Sequence, residues 1–307
     1  MLTYAVRRLL GAIPTVFVII TVSFFLMRVA PGGPFDAERT LEPQVMQNLQ
    51  AAFGLDLPLW QQYLRYISNL AAGDLGPSFI YRDFSVQQLL AAGLPISIIL
   101  GASALGLAFI LGAGLGVWAA LKQNTPVDYC VIAIATFGIT VPNFVVAPLL
   151  SLIFGVWLSV LPAGGYEALS VSHMLLPVVT LALPQVAVIA RLIRGALLEA
   201  LQSDHVRTAK AYGLPLVRVV GVHAFRAAAL PAVSYLGPAA AALLTGSVVV
   251  ETIFGIPGIG RYFVQGALNR DYTLVMGTVV LVAVFVVIFN LAVDLLYAIL
   301  DPRVRYE

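Results

Sequence analysis

Three histidines, one cysteine and two lysines leave a chain of 307 residues with little that could run a reaction. A P-loop needs Gly-Lys-Ser/Thr, so that backbone amides and the lysine can grip nucleotide phosphates. Lys122 follows Leu121 and Lys210 follows Ala209, so that signature is absent. His173 falls on one side of the expected membrane and His205 and His223 on the other, so the three cannot surround one metal, and there is no H-E-x-x-H. The run Gly101-Ala102-Ser103-Ala104-Leu105-Gly106 has the wrong spacing for a G-x-S-x-G nucleophile turn. A lone Cys130 rules out an internal disulfide and reads as a small buried hydrophobe. No catalytic residue, metal site or nucleotide cofactor is therefore assigned to this chain, and nothing in it calls for nucleic acid.

The elements that must position the remaining side chains follow from the charges. Apolar residues make up 60% of the chain and charged ones 10%, against roughly 25% charged in ordinary soluble domains. The charges come in clusters, and an uncharged run of about 20 residues is what a bilayer core of about 30 Å requires. Six runs qualify: Leu9 to Met27, Phe84 to Leu121, Tyr129 to Tyr166, Ala168 to Ala190, Ala227 to Val250 and Tyr272 to Val293. The second is trimmed by Gly93-Leu94-Pro95 and the third by Leu161-Pro162-Ala163-Gly164-Gly165. The expected fold class is an all-α, polytopic membrane protein of six transmembrane helices.

Lysine and arginine set the orientation, because short loops rich in them stay cytoplasmic. With the N-terminus inside, eleven of the seventeen basic residues are cytoplasmic, and the six outside sit among nine acidic ones. Both termini then face the cytoplasm. The segments are residues 1–28, a first helix with cytoplasmic N-terminus; 29–93, extracytoplasmic; 94–300, a five-helix core with a cytoplasmic loop at 191–226; and 301–307, a cytoplasmic tail. Arg7-Arg8 before the first apolar run resembles a secretory signal, but that run is too long and no A-x-A site follows, so the helix reads as uncleaved. Ion-driven carriers place charges at membrane depth. Here Glu251 and Asp294 read as solvated carboxylates at helix ends.

The loop 191–226 holds six of the seventeen basic residues. Within it Asp204 can cap a helix of about two turns over His205 to Tyr212, Gly213 can close it in the left-handed conformation, and Pro215 prevents its continuation. Val206, Ala209 and Tyr212 share one face; Arg207, Thr208 and Ala211 share another, flanked by Lys210. So short a helix is marginal alone in water. Two holders are open: anionic lipid headgroups, or a groove on a cytoplasmic partner. On the second reading Ala209→Asp would abolish partner association without unfolding the bundle.

The stretch Asp204 to Leu214, with His223-Ala224-Phe225-Arg226 and Leu230-Pro231, resembles the coupling loop of ABC importer permeases of the peptide branch. Arg7-Arg8-Leu9-Leu10, Ala30-Pro31-Gly32, Phe53-Gly54-Leu55-Asp56, Gly73-Asp74-Leu75-Gly76, Glu251-Thr252-Ile253-Phe254-Gly255-Ile256-Pro257-Gly258-Ile259-Gly260, Arg270-Asp271-Tyr272 and Asp301-Pro302-Arg303 extend the likeness along the chain. The resemblance implies a type I importer permease fold in a bacterial inner membrane. It also implies a homologous second permease, two ATPases that bind ATP and Mg, an extracytoplasmic peptide-binding protein and a peptide substrate. Asp204, Val206, Arg207, Thr208, Ala209, Lys210, Ala211, Tyr212, Gly213 and Leu214 would then couple to an ATPase. General importer permeases carry Glu-Ala-Ala where this chain has Arg207, Thr208 and Ala209, a departure usual in the peptide branch. Nickel importers have related permeases, and a self-sufficient transporter or channel is the alternative of another class; a membrane scaffold is a third.

Packing signals complete the reading. Gly112 and Gly116 form a G-x-x-x-G that lets another backbone approach closely. Pro142, Pro148, Pro177, Pro184 and Pro238 interrupt the later spans. Trp60, Tyr63 and Tyr66, at helical spacing in the long outer segment, form a small cap for headgroups or for the binding protein. Glu251, Gly255, Pro257, Gly258 and Gly260 mark a second outer loop, a candidate gate or binding-protein contact.

Overall fold

The computed structural model describes residues 2–29, 33, 43–81, 83–168 and 170–300, with the side chains of 2–9, 43, 244–246 and 294–300 left aside. The Ala30-Pro31-Gly32 and Asp301-Pro302-Arg303 motifs, the side chain of Asp294 and the tail 301–307 lie outside what is described. In chain order the helices are α1 (Leu2–Val29), α2 (Pro43–Phe53), α3 (Leu59–Ala71), α4 (Val86–Leu121), α5 (Pro126–Thr140), α6 (Asn143–Leu150), α7 (Val171–Ala200), α8 (Asp204–Ala211), the single turn α9 (Leu216–Arg218), α10 (Phe225–Phe254), α11 (Ile259–Leu268) and α12 (Tyr272–Leu300). Wider π turns at Ser151–Trp157 and Val219–Ala224 follow α6 and α9. Among the described residues only Pro77 and Ser85 pair in the manner of a strand.

Among the described residues, five helical stretches are long and apolar enough to cross a membrane: Leu10–Val29, Val86–Leu121, Val171–Ala200, Leu216–Leu243 and Tyr272–Val293. The expected third crossing is two helices, Pro126–Thr140 and Asn143–Trp157, bent by 104°. Taken as one span, this pair makes six crossings; a second bent pair, Ser247–Phe254 with Ile259–Leu268, raises the upper count to seven. The break has a local cause. A residue before proline avoids helical geometry, and Val141 is extended at φ −85°, ψ 118° ahead of Pro142. The other prolines are absorbed: Pro148 lies inside α6, Pro177 and Pro184 inside α7, and Pro238, like Pro231, inside α10. Gly93-Leu94-Pro95 is likewise no turn, because α4 starts at Val86 and runs through it. A proline inside a long helix forfeits one hydrogen bond and bends it without ending it.

The chain divides into two compact units. One comprises 97–256 with 285–307 and 1–9. Its centre is α7, where Leu181, Ile189, Ile193 and Leu197 are fully buried. Gly112 and Gly116 of α4 seat directly on it: a Cβ at Gly116 would come within 2.6 Å of the Ala190 carbonyl, and one at Gly112 within 2.9 Å of that of Val186. Gly138 brings α5 to the same helix, its Cβ position 3.3 Å from the Leu183 carbonyl. Cys130 is exposed, not buried as its type suggests. The inward face of α5 is Asp128, Val131 and Ala135, at helical spacing, which turns Cys130 outward.

The other unit comprises 10–96 with 257–284. Val86, Leu89 and Leu90 of α4 pack with Ile259 and Leu274. On α3, Tyr63 and Tyr66 pack against Phe24 of α1, with ring centroids 5.3 and 5.7 Å away, while Trp60 points outward. Burial pushes the Tyr66 phenol up to about 12. The Arg28 guanidinium donates to Gln62 Oε1 and lies 4.9 Å from the Phe24 ring centre and 5.0 Å from that of Tyr272. Asp271 ties the ends of this unit together. Its carboxylate accepts from the amides of Phe79 (3.0 Å) and Ile80 (3.3 Å), from the Ser78 hydroxyl, and from the Leu274 amide (3.1 Å) at the start of α12.

Candidate functional site

The segment between α7 and α10 carries the features singled out for coupling. The α7 helix continues through Arg191 and Arg194 to Ala200, so only Leu201 to Ser203 separate it from α8. Ser203, extended at φ −67° and ψ 154°, precedes the first turn, in the place expected of Asp204. Gly213 closes the helix at φ 72°, the left-handed geometry that favours glycine, and Pro215 stands before the next turn. The Thr208 hydroxyl donates to the Asp204 carbonyl at 2.9 Å, and His205 Nε2 donates to the His223 carbonyl at 3.2 Å, fastening α8 to the π turn that follows.

The apolar face is already covered. Val206 is 0% exposed and Ala209 5%, in one cluster with Ala120 of α4, Leu197 and Ala200 of α7, and Val219, Val220 and Ala224. Leu214 packs against the same cluster. The face expected to enter a partner's groove is thus an internal anchor, since a small apolar patch buries itself in the nearest apolar surface and α7 supplies that surface one short turn away. Ala209→Asp would place a carboxylate in this core, so it tests folding, not docking. Outward, α8 presents Asp204, Arg207, Thr208, Lys210 and Ala211. Arg207 Nη1 approaches Asp204 Oδ1 at 3.6 Å, an exposed pair one turn apart that contributes little. Tyr212, placed with the apolar face by sequence spacing, is 82% exposed, and beside it Leu216 and Val217 are exposed at 56% and 86%. Tyr212 is among the residues named for coupling, whereas Leu216 and Val217 are not; with them the exposed apolar rim at this end of α8 extends to three large side chains close in sequence. The signal available was the pair of apolar residues following Pro215.

The Glu251–Gly260 segment is less of a loop than expected. Glu251 lies inside α10, is 0% exposed and accepts a hydrogen bond from Ser97 Oγ at 2.6 Å. It is no solvated helix-end carboxylate: the left-handed Gly255 (φ 69°) closes α10 four residues later, leaving Glu251 under its last turn. Ser97 and Ser247 stand at the wall of a cavity of about 310 Å³ between α4, α10 and α12, otherwise lined by apolar groups including Gly101, Phe109, Leu243 and Phe289. Gly164 and Gly165 pack on the end of α10, where the Gly165 amide donates to the Phe254 carbonyl at 2.7 Å. In the other unit, Pro257 and Gly258 lead into α11, where Gly260 is buried, and a Cβ at Gly93 would come within 3.0 Å of the Gly258 carbonyl carbon.

Near the other end of α5 and α7, Arg194 Nε donates to Asp128 Oδ1 at 2.5 Å and its Nη2 to Oδ2 at 2.7 Å. Asp128 is 1% exposed and also accepts the Asn124 amide at 3.0 Å. This side-on pair was not foreseen from the sequence, which shows its two members only as isolated charges 66 positions apart.

Residues 112–306 match the family described as binding-protein-dependent transport system inner membrane component, and residues 1–94 match the N-terminal family of such membrane components. The oligopeptide transport system permease protein OppB of Escherichia coli K12 is 52% identical over 306 residues, covering 100% of both chains. OppB of Haemophilus influenzae is 49% identical over the same length, again covering 100% of both chains. The dipeptide transport system permease protein DppB of Bacillus subtilis is 43% identical over 305 residues, covering 99% of this chain and 98% of its own. A crystal structure of an amino acid ABC transporter with histidines shares the fold at a TM-score of 0.52 and 16% identity, over 71% of this chain and 95% of that one. With its succession of apolar helices, the chain is a multi-pass membrane protein and belongs to the family of binding-protein-dependent transport system inner membrane components.

Proposed function

We propose that this chain is one transmembrane half of an ATP-driven importer that moves oligopeptides or dipeptides across the bacterial inner membrane. The observation that carries the reading is the end-to-end identity of about half with oligopeptide permeases. A homologous second permease completes the pathway. Two ATPases, holding ATP and Mg, work on the α8 side, and an extracytoplasmic peptide-binding protein delivers cargo on the other. The basic residues at 191–226 support a cytoplasmic α8 with both termini on that side.

The anchoring of α8 supports its role as a handle. Its inner face is fused to the ends of α4 and α7, so a push on its outer face is a push on those helices. Arg207, Lys210 and the rim of Tyr212, Leu216 and Val217 are the surface offered to an ATPase. Closure of the ATPases on ATP then biases the bundle between inward-open and outward-open states, because nucleotide binding favours one of two arrangements. The chain hydrolyses nothing itself. The cavity beside Ser97 and Ser247 suits apolar peptide side chains in passage, and the turn at Gly255 to Gly260 is a candidate outer gate or contact for the binding protein.

Reconstitution of this permease with its second permease, both ATPases and the binding protein in liposomes tests the reading. Labelled peptide should accumulate only with ATP inside the ATPase-accessible compartment. Uptake by the permease alone on an ion gradient would refute it, as would a complex that moves nickel but no peptide.

A further inference from the structure

The α7 helix is the common neighbour of α4 and α5, and it leads directly into α8. Its hold on α4 is made by close packing at Gly112 and Gly116. Its hold on α5 is made at two places. At one, Gly138 lies against the Leu183 backbone. At the other, Asp128 takes both Nε and Nη2 of Arg194. The two places are ten residues apart on α5, about 15 Å of helix. Attachment at two points prevents α5 from swinging about either. Arg194 stands three residues before Leu197, which with Ala200 packs against Val206 and Ala209 of α8.

A side-on arginine–carboxylate pair fixes both distance and orientation, which packing of small residues alone does not. Such a pair adds little net stability where apolar residues of similar volume would serve, so its presence between the first turn of α5 and the last two turns of α7 points to alignment. Directly after α5 comes the 104° bend at Pro142. That bend is where a broken span would change shape if α5 were driven from its far end.

We propose that the Asp128–Arg194 pair is a coupling clamp, which makes α5 move as one piece with α7 and α8 so that displacement of α8 reaches the bend between α5 and α6. Both are positioning residues. The clamp rests on the reading of α8 as the ATPase handle.

The test uses the full complex in liposomes, with peptide uptake and two ATPase rates measured: basal, and stimulated by peptide-loaded binding protein. Asp128→Asn should assemble, keep its basal rate, and lose about ten-fold in stimulation and in uptake, the scale of change expected along a coupling network. In a Cys130→Ser background, Asp128→Cys with Arg194→Cys should show the same loss, and a short bis-maleimide joining the two thiols should restore stimulation. Asp128→Asn with wild-type stimulation overturns the clamp, and so does a cross-linked pair that stays uncoupled. If Asp128→Asn fails to assemble, Arg194→Lys decides: a normal stimulation ratio in that variant means the pair serves stability alone. Peptide uptake by the wild-type complex reports separately on the cargo, and a wild-type complex whose ATPase ignores the binding protein refutes the reading of function, not the clamp.

Discussion

At the scale of single residues, burial separates two kinds of position on α8 that sequence spacing had merged. Val206→Asp or Ala209→Asp puts an unpaired carboxylate among Leu197, Ala200 and Val220, at a cost on the order of 3 kcal/mol. Both variants should lower the melting temperature of the detergent-solubilised permease and expose 201–216 to protease. Tyr212→Ala, at an 82% exposed position, should leave the melt unchanged and weaken co-purification of the ATPases roughly ten-fold. The opposite pattern, with Ala209→Asp stable and Tyr212→Ala still associated, would return docking to the inner face. What could be read here in advance was the helix itself, through Gly213 and Pro215. Which face it hides could not, because amphipathic spacing records that a face is buried and is silent on whether the cover is the same chain or another. Glu251 and Asp128 were opaque for a related reason: each is made tolerable by a partner far along the chain, Ser97 and Arg194, and no local pattern records that partner.

At the scale of elements, close approach of α4 to α7 is the sharpest agreement between residue type and geometry. Gly116→Leu should lower the melting temperature by the equivalent of about 1–3 kcal/mol through overpacking against the Ala190 carbonyl, while Gly114→Ala, with no atom within 4 Å of the new Cβ, should be neutral. Equal effects at the two positions would mean that α4 does not pack through this face. The run of uncharged residues made most crossings legible, since length and hydropathy are local properties. Ends were less so. Pro142 ends a helix and Pro95 does not, although both are prolines in apolar runs, because Pro142 is preceded by a residue held extended whereas Pro95 lies in a helix already about two and a half turns long that absorbs the missing donor.

At the scale of the whole molecule, one unit is assembled from two stretches that are remote in sequence, 10–96 and 257–284. Asp271 is their fastening, with Ser78 as its partner 193 positions away. Asp271→Ala removes a helix cap and the acceptor of two further amides, and should cost about 2–5 kcal/mol. Hydrogen exchange should show the loss first at 78–81 and the first turn of α12, with α7 unaffected. Uniform exchange throughout the chain would show instead that the molecule melts as one piece. Asp271 enters the sequence reading only within the Arg270-Asp271-Tyr272 motif, which carries no sign of Ser78 as its partner, so a contact of this span was beyond a reading based on periodicity and composition.

That discontinuity has a consequence during synthesis. Val86, Leu89 and Leu90 leave the ribosome well ahead of Ile259 and Leu274, the residues that complete their core. The intervening stretch 97–256 takes roughly 8–30 s to translate at ordinary elongation rates. Through that wait the nascent chain shows the translocon and its proteases an apolar surface still lacking its cover, and a ribosome stalled after α10 would leave that surface bare for good.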